Sequence, residues 1–156
     1  DDFERPWFVL IGALDEKSGD LVEKIYRPFD VPIERCTLEE AEFQKYAHNV
    51  FNAVKIAFFN EMRVVANKKG WDADAVLRAT AESCEGMWNP MYGIRDYGPF
   101  DGSCLPKDTR ALLEWGDKNK FDLEILRSVI SANLKHQTLL GNNKAVRANR
   151  LGDIIL

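Results

Sequence analysis

The strongest constraint on this chain is a stretch of 33 residues, from Thr37 to Lys69, that contains neither glycine nor proline. Its first four residues, TLEE, form a capping box, in which the threonine hydroxyl and a glutamate carboxylate each satisfy a free backbone amide at a helix start. Nothing in the sequence would end such a helix before Gly70. At 1.5 Å per residue the helix would be roughly 50 Å long. The chain is therefore predicted to be mainly α-helical and built around one long helix.

Apolar side chains cover more than one face of this predicted helix. They are Phe43, Tyr46, Ala47, Val50, Phe51, Val54, Ala57, Phe58, Met62 and Val65. A helix on the surface of a globular protein needs only one apolar stripe, which faces the core. This helix therefore needs more than one neighbour. We expect a second subunit to supply one of them, so that the chain forms a homodimer through residues 37–69.

A short β-α-β unit is predicted ahead of the long helix. Residues 7–13 (WFVLIGA) are almost wholly apolar, as is typical of a strand buried on both faces of a parallel sheet. Residues 18–27 then place apolar side chains at helical spacing, and residues 31–36 return to an extended pattern. The predicted fold class is therefore mainly α with a small α/β portion.

Three further helices are predicted after Gly70. Asp72 can cap a short helix that ends at Ser83, and two longer helices are expected over residues 108–118 and 122–140. The segment between Ser83 and the helix that opens at Pro106 is rich in glycine and proline, and it is predicted to be an irregular loop.

Charge, hydropathy and cysteine usage exclude several classes of protein. The net charge is -4, with lysine and arginine spread along the chain, so we expect no nucleic-acid partner. The apolar stretches 7–14 and 50–66 are too short or too interrupted to span a bilayer, so no membrane partner is expected. The three cysteines have no C-x-x-C spacing and no secretory signal opens the chain, which favours free thiols in the cytoplasm. We expect no metal site.

The residues around Cys104 are the candidate chemical centre. Cys104 stands just before a predicted helix N-terminus, where free amides and the helix dipole favour a thiolate. The nearby Lys107 adds positive charge, so the thiol is predicted to be nucleophilic near neutral pH. The alternative is that Cys104 is a small buried apolar residue, which is what we expect of Cys36 and Cys84.

Two segments carry a resemblance to a known enzyme family. Residues 102–108 (GSCLPKD) are similar to the G-x-C-hydrophobic-P-K-D segment of UDP-glucose and GDP-mannose dehydrogenases. Residues 41–51 (AEFQKYAHNVF) resemble the A-E-x-x-K-Y-x-x-N-x-F helix of the same family. Both segments occur in the order of the family and close to its spacing, and the resemblance extends from residue 7 to about residue 140.

The resemblance implies three parts of a larger protein. Residues 1–36 would be the last β-α-β part of a Rossmann-like NAD-binding domain, and residues 37–143 the central helical catalytic and dimerisation domain. Residues 144–156 would begin a linker to a C-terminal nucleotide-binding domain. Since the chain contains no G-x-G-x-x-G loop, we expect most of the NAD pocket to lie outside it and the fragment alone to be inactive.

Enzymes of this family oxidise the C6 alcohol of a nucleotide sugar to a carboxylate in two NAD-dependent steps, through a thiohemiacetal and a thioester on a cysteine. The resemblance makes Cys104 that nucleophile. Lys45 and Asn49, four residues apart on one helix, match the lysine and asparagine that stabilise an alkoxide or oxyanion. Asp108 matches the aspartate that positions water and proton transfer, and Lys107 is expected to contact the cofactor or an anion. Without the motif, the Lys–Asn pair would be ordinary solvated residues.

Four residues are candidate contacts of the nucleotide sugar: Arg95, Tyr97, Asp101 and Gly102. Asp101 stands where the family usually has a glycine whose backbone approaches the sugar. A carboxylate at this position would obstruct or repel the substrate, select a different sugar, or mark an inactive variant.

Two other functions stay open on the sequence. The first is a non-catalytic helical homodimerisation module of the same ancestry, which Asp101 and the missing cofactor loop favour. The second is a cysteine hydrolase that pairs Cys104 with His48 or His136, although no motif surrounds either histidine.

Overall fold

The structure, a computed structural model, describes residues 5–94 and 98–141. Within these ranges the chain forms two strands and six α-helices. In chain order they are β1 (Val9–Gly12), α1 (Glu16–Tyr26), β2 (Ile33–Cys36), α2 (Leu38–Lys68), α3 (Ala73–Ser83), α4 (Glu85–Trp88), α5 (Leu105–Lys118) and α6 (Glu124–Gly141). The predicted fold class is confirmed. Two compact units meet within α2, the first ending at Lys55 and the second beginning at Ile56.

The first unit begins with the predicted β-α-β arrangement. β1 and β2 pair in parallel, with Val9 opposite Ile33, and α1 is the crossover between them. α1 starts two residues earlier than predicted. The reason is a cap, because the Asp15 carboxylate accepts a hydrogen bond from the Ser18 backbone amide at 2.7 Å.

The prediction that the first strand is buried on both faces is wrong for the described chain. Val9 and Ile11 are buried, whereas Leu10, which points to the opposite face, is only half-buried. The start of α2 covers part of that second face. It approaches Gly12 so closely that an added Cβ would lie 2.8 Å from the Ala41 Cβ. The second face is therefore half-covered by the beginning of one helix.

An ion-pair network at the surface ties β2 to α1. Arg35 donates hydrogen bonds to Glu23 at 2.7 Å and to Asp20 at 2.7 Å. Arg27 donates to the other oxygen of Glu23 at 3.0 Å. These hydrogen bonds, from Arg27 first and then from Arg35, hold the pKa of the Glu23 carboxyl below its usual value. Exposed pairs of this kind each contribute little to stability.

The long helix α2 begins and ends as its sequence predicts. The Thr37 amide donates to the Glu40 carboxylate at 2.8 Å, and the Glu40 amide donates to the Thr37 hydroxyl at 3.2 Å, which completes the capping box. The helix runs for 31 residues. It ends where Gly70 adopts a φ of 72°, which lets the Trp71 amide donate to the Ala66 carbonyl at 3.0 Å.

Apolar side chains along the first part of α2 are not covered by the described chain. Four large ones have relative exposures of 73%, 67%, 59% and 62%, and they are respectively Phe43, Tyr46, Val50 and Phe51. Near the other end of the helix, Val65 and Ala66 are buried. Only the last turns of α2 are therefore part of a core that the chain builds by itself.

The core of the second unit joins the end of α2 to α5 and α6. It consists of Val65, Phe121, Leu123 and Leu126, of which Leu123 is only 1% exposed. Gly116 lets α5 approach this core, because an added Cβ would lie 2.5 Å from the Leu123 Cδ1. These contacts fix α6 against α2 and α5 within the unit.

α3 confirms its prediction, since the Asp72 carboxylate accepts from the Ala75 amide at 3.0 Å and the helix ends at Ser83. The segment after it departs from the predicted loop. There the Asn89 amide donates to the Glu85 carbonyl at 2.9 Å, which closes the single turn of α4. One local hydrogen bond of this kind leaves no periodic pattern in the sequence.

α6 begins at Glu124, two residues later than predicted. Its start is capped from α2, because the Glu61 carboxylate accepts from the Ile125 amide at 2.8 Å and from the Leu126 amide at 3.3 Å. A carboxylate at this position also interacts favourably with the helix dipole. Glu61 therefore fixes the start of α6 on α2.

Candidate functional site

The candidate site is built on the loop of residues 98–104, here called the thiol loop, which leads into α5. α5 was predicted to open at Pro106, but it begins at Leu105 because the Cys104 carbonyl already accepts from the Asp108 amide at 2.9 Å. Within the loop Gly102 has a φ of 91°, a backbone conformation that favours glycine. Cys104 is therefore the N-cap residue of α5.

The Cys104 thiol is exposed, so the alternative that it is a buried apolar residue is wrong. Its side chain makes no capping hydrogen bond to α5. The Sγ atom lies 3.6 Å from the Ser103 hydroxyl oxygen. An exposed thiol at a helix N-terminus is accessible to a substrate and is close to free backbone amides.

The other two cysteines differ from each other. Cys84 is exposed, so the prediction that it is buried is wrong. It follows α3 at the surface, where no core covers it. Cys36 is half-buried at the end of β2, its thiol donates to the Ile11 carbonyl at 3.9 Å, and burial raises its pKa. Cys36 therefore fills a structural position.

Lys107 and Asp108 lie in the first turn of α5. The Lys107 Nζ is 3.4 Å from the Asp108 Oδ1, and both side chains are 70% exposed. An ion pair this exposed contributes little energy. Both groups are therefore able to turn toward a ligand at low cost.

The four predicted substrate contacts fall into two groups. Asp101 and Gly102 lie in the thiol loop and are exposed. Asp101 does not adopt a positive φ, so its backbone conformation does not call for the glycine of the family pattern. Arg95 and Tyr97 lie outside the described residues.

Lys45 and Asn49 are both exposed and lie one turn apart on α2, which puts them on one face of the helix. They belong to the first compact unit, and Cys104 and Asp108 belong to the second. The structure confirms that Lys45 and Asn49 share one helix and that Cys104 stands directly before a helix N-terminus.

Sequence reasoning missed Asn133, which holds the thiol loop. The Phe100 amide donates to the Asn133 side-chain oxygen at 2.7 Å, and the Asn133 side-chain nitrogen donates to the Phe100 carbonyl at 3.0 Å. Asn133 is 9% exposed. One signal was available, because Asn133 continues the apolar stripe that Leu126 and Ile130 begin on α6. A polar residue in such a stripe needs a partner when it is buried.

The described part of the second unit also contains an apolar cavity of about 250 Å³. Side chains of α2, α3 and α5 line it, among them Met62, Leu77 and Trp115. Its described lining includes no ionisable residue. The described lining therefore offers no general acid or base.

Metal binding and membrane insertion each need a specific arrangement of residues, and residues 5–94 and 98–141 show neither. Nowhere in these ranges do three His, Cys, Asp or Glu side chains come together as a metal site would require. Among the helices described there, none combines the length and the apolar character that a bilayer span requires.

Comparison with known proteins decides the family. Residues 39–135 match the central domain of the UDP-glucose/GDP-mannose dehydrogenase family. This range is more than half of the chain, and it includes both the Lys–Asn face of α2 and the thiol loop. The chain belongs to this dehydrogenase family. The resemblance drawn from residues 41–51 and 102–108 is thereby confirmed.

The relatives of this chain include UDP-glucose 6-dehydrogenases and GDP-mannose 6-dehydrogenases. The chain is 40% identical over 147 residues to UDP-glucose 6-dehydrogenase YwqF of Bacillus subtilis, covering 94% of the chain and 32% of the relative. It is 38% identical over 132 residues to GDP-mannose 6-dehydrogenase of Pseudomonas aeruginosa, covering 85% of the chain and 30% of the relative.

Among solved structures, a ternary complex of GDP-mannose dehydrogenase from Pseudomonas aeruginosa matches with a TM-score of 0.80 and 36% identity. The match covers 88% of this chain and 31% of that one. The family member described here thus spans about a third of the length of its relatives.

Proposed function

We propose that this chain is the catalytic-cysteine core of an NAD-dependent nucleotide-sugar 6-dehydrogenase, which oxidises the C6 alcohol of a UDP- or GDP-hexose to a uronic acid. The observation that carries the proposal is the exposed Cys104 thiol at the start of α5, inside the segment that matches the family. Because the chain spans about a third of its relatives, we assign the reaction to the whole protein and not to this part alone.

Cys104 has the position of a nucleophile for the second oxidation. Its thiolate adds to C6 of the aldehyde formed in the first oxidation, the carbonyl oxygen takes up a proton, and a thiohemiacetal forms. Loss of a hydride from C6 and of the hydroxyl proton gives a thioester. Water attacks the thioester carbon, and the carboxylate and the thiolate separate. Cys104 stands at the start of α5, where the helix dipole favours negative charge.

NAD, when bound to the whole protein, supplies the hydride acceptor for both oxidations. Lys107 is the residue of this chain that we assign to the cofactor, since its ammonium group is exposed and able to meet a phosphate. The sequence contains no G-x-G-x-x-G loop. We therefore assign most of the NAD pocket to other parts of the whole protein.

Lys45, Asn49 and Asp108 complete the proposed catalytic set. Lys45 and Asn49 share one face of α2, so both side chains can reach one developing oxyanion and stabilise it. Asp108 lies one turn after Cys104 on α5 and is exposed, so its carboxylate can orient the attacking water and accept a proton from it.

We assign Asp101 and Gly102 to the sugar, because both are exposed in the thiol loop ahead of Cys104. Arg95 and Tyr97 remain candidates by sequence position. If the Asp101 carboxylate obstructs the sugar, Asp101→Gly should raise kcat/KM for the nucleotide sugar. A fall in kcat/KM would instead assign Asp101 to the recognition of a different sugar.

We also propose that the whole protein is a homodimer through residues 37–69. The proposal is supported by the exposed apolar side chains along the first part of α2. A two-fold contact lets one apolar patch cover its own copy. Burying such a patch stabilises the dimer by roughly 25 cal/mol per Å² of apolar area.

The test compares two exposed cysteines in the full-length protein. Cys104→Ser should abolish uronic acid formation from UDP-glucose and GDP-mannose, because an alkoxide is a poorer leaving group than a thiolate. Cys84→Ser is the matched control and should keep wild-type rates of NADH formation. Normal uronic acid output from Cys104→Ser would remove Cys104 from the mechanism.

A non-catalytic homodimerisation module is the second candidate, which the uncovered face of α2 favours. It predicts a dimer that forms no NADH with any nucleotide sugar. The same assay on the wild-type full-length protein therefore separates the two functions.

A further inference from the structure

We propose that Asn133 is a positioning residue, which holds the thiol loop so that Cys104 stays at the N-terminus of α5. The inference rests on the proposed function, in which Cys104 is the nucleophile. Asn133 itself is not assigned to contact the substrate or the cofactor.

The contact between Asn133 and Phe100 consists of two hydrogen bonds. The Asn133 amide uses its oxygen and its nitrogen on the same residue, accepting from the Phe100 amide at 2.7 Å and donating to the Phe100 carbonyl at 3.0 Å. The Asn133 side-chain amide therefore satisfies both the backbone N–H and the backbone C=O of Phe100, as a neighbouring β-strand would. Phe100 is thereby fixed in both position and orientation.

The helix that carries Asn133 is a rigid support for the loop. Asn133 is 9% exposed and lies on α6, two turns after Leu126, which belongs to the core. The start of α6 is held by the Glu61 carboxylate on α2. The loop is therefore attached to a helix that is fixed at its start and packed against the core at Leu126 and Ile130.

Phe100 lies at one end of an exposed stretch. Phe100 is half-buried, whereas Asp101, Gly102, Ser103 and Cys104 after it are all exposed. The stretch is therefore held at two ends, by Phe100 before it and by α5 after it. Losing the attachment at Phe100 would free the end that precedes Cys104, so the Cys104 side chain could change its orientation at the start of α5. A displacement of about 1 Å at a reacting group can cost on the order of 10²-fold in rate.

The experiment uses the full-length protein with two substitutions that act differently on the contact. Asn133→Leu has a similar volume and removes both hydrogen bonds. Asn133→Asp keeps the shape and the acceptor but loses the donor and places a negative charge beside the Phe100 carbonyl. Ser131→Ala, at an exposed position on the same helix, is the control.

The first readout is the ratio of the iodoacetamide labelling rates at Cys104 and Cys84 in the same molecule. Both thiols are exposed already, so loosening the loop should lower the ratio and not raise it. We expect it to fall about 5- to 10-fold in each Asn133 variant, with thermal melting showing a folded protein. A ratio within twofold of wild type in a folded variant overturns the proposal.

The second readout separates positioning from general stability. We expect kcat for uronic acid formation to fall about 10- to 100-fold while KM for NAD stays unchanged. A rise of about 10- to 100-fold in KM for NAD, with kcat unchanged, would contradict a positioning role. If the wild-type protein forms no uronic acid, the proposed function has failed, and the labelling ratio still decides whether Asn133 positions Cys104.

Discussion

Two substitutions of Glu61 should lower the stability of the second unit by different amounts. Its carboxylate accepts from two amides at the start of α6, at 2.8 and 3.3 Å. Hydrogen bonds to a charged group contribute about 1.5–3 kcal/mol, and neutral ones about 0.5–1.5 kcal/mol. Glu61→Gln keeps one carbonyl acceptor and should lower the free energy of unfolding by about 1 kcal/mol. Glu61→Ala leaves both amides without this partner and should lower it by about 2–3 kcal/mol.

Urea unfolding of the chain, followed by tryptophan fluorescence, measures this free energy. Trp115 reports on the core concerned, because its ring stacks on Phe121 with centroids 5.4 Å apart. Glu124→Gln is the matched control, since Glu124 is exposed in the first turn of α6 and interacts mainly with the helix dipole, worth about 0.3–1 kcal/mol. If Glu61→Ala costs no more than Glu124→Gln, Glu61 does not cap α6 and the reasoning is refuted.

Three further predictions follow from other parts of the structure. In the full-length protein, Lys45→Ala and Asn49→Ala should each lower kcat by about 10² to 10³, the usual cost of removing an oxyanion donor, and wild-type kinetics would make both ordinary surface residues. The first unit should lose stability as the pH falls through the lowered pKa of Glu23, because the hydrogen bonds from Arg27 and Arg35 favour its ionised form. The contribution is present above the unfolded pKa near 4.5, and Glu23→Gln should flatten the pH dependence of thermal melting there. Light scattering at micromolar concentration should give twice the chain mass of 17.8 kDa, and a folded monomer would show that α2 is covered in another way.

The elements that the sequence predicts well depend on residues close together in the chain. The capping box joins Thr37 to Glu40, and the cap of α3 joins Asp72 to Ala75, so both are visible in a window of four residues. The thiol loop is similar, because its motif is contiguous and places Cys104 directly ahead of a proline-containing helix start. A short stretch of sequence is therefore enough to predict these caps and this helix start.

The contacts that the sequence does not predict join distant residues. Glu61 caps a helix that starts more than sixty positions later, and Asn133 holds a residue 33 positions before it. The place of Asn133 in the apolar stripe of α6 indicates that it needs a partner, but it does not indicate which residue that partner is. Only the packing of α2, α5 and α6 around Leu123 brings Glu61 and Asn133 each to its partner. Their roles come from tertiary structure, which periodicity alone does not reveal.

The contact between Asn133 and the thiol loop has a consequence for how this enzyme family can diversify. Both hydrogen bonds from Asn133 to this loop go to main-chain atoms of Phe100. Side chains in the loop can therefore change while these two hydrogen bonds still hold the backbone of Phe100. Asp101 carries its carboxylate in this loop while the attachment of Phe100 stays in place. Under the proposed function, the side chains that meet the sugar can therefore change while Cys104 keeps its position.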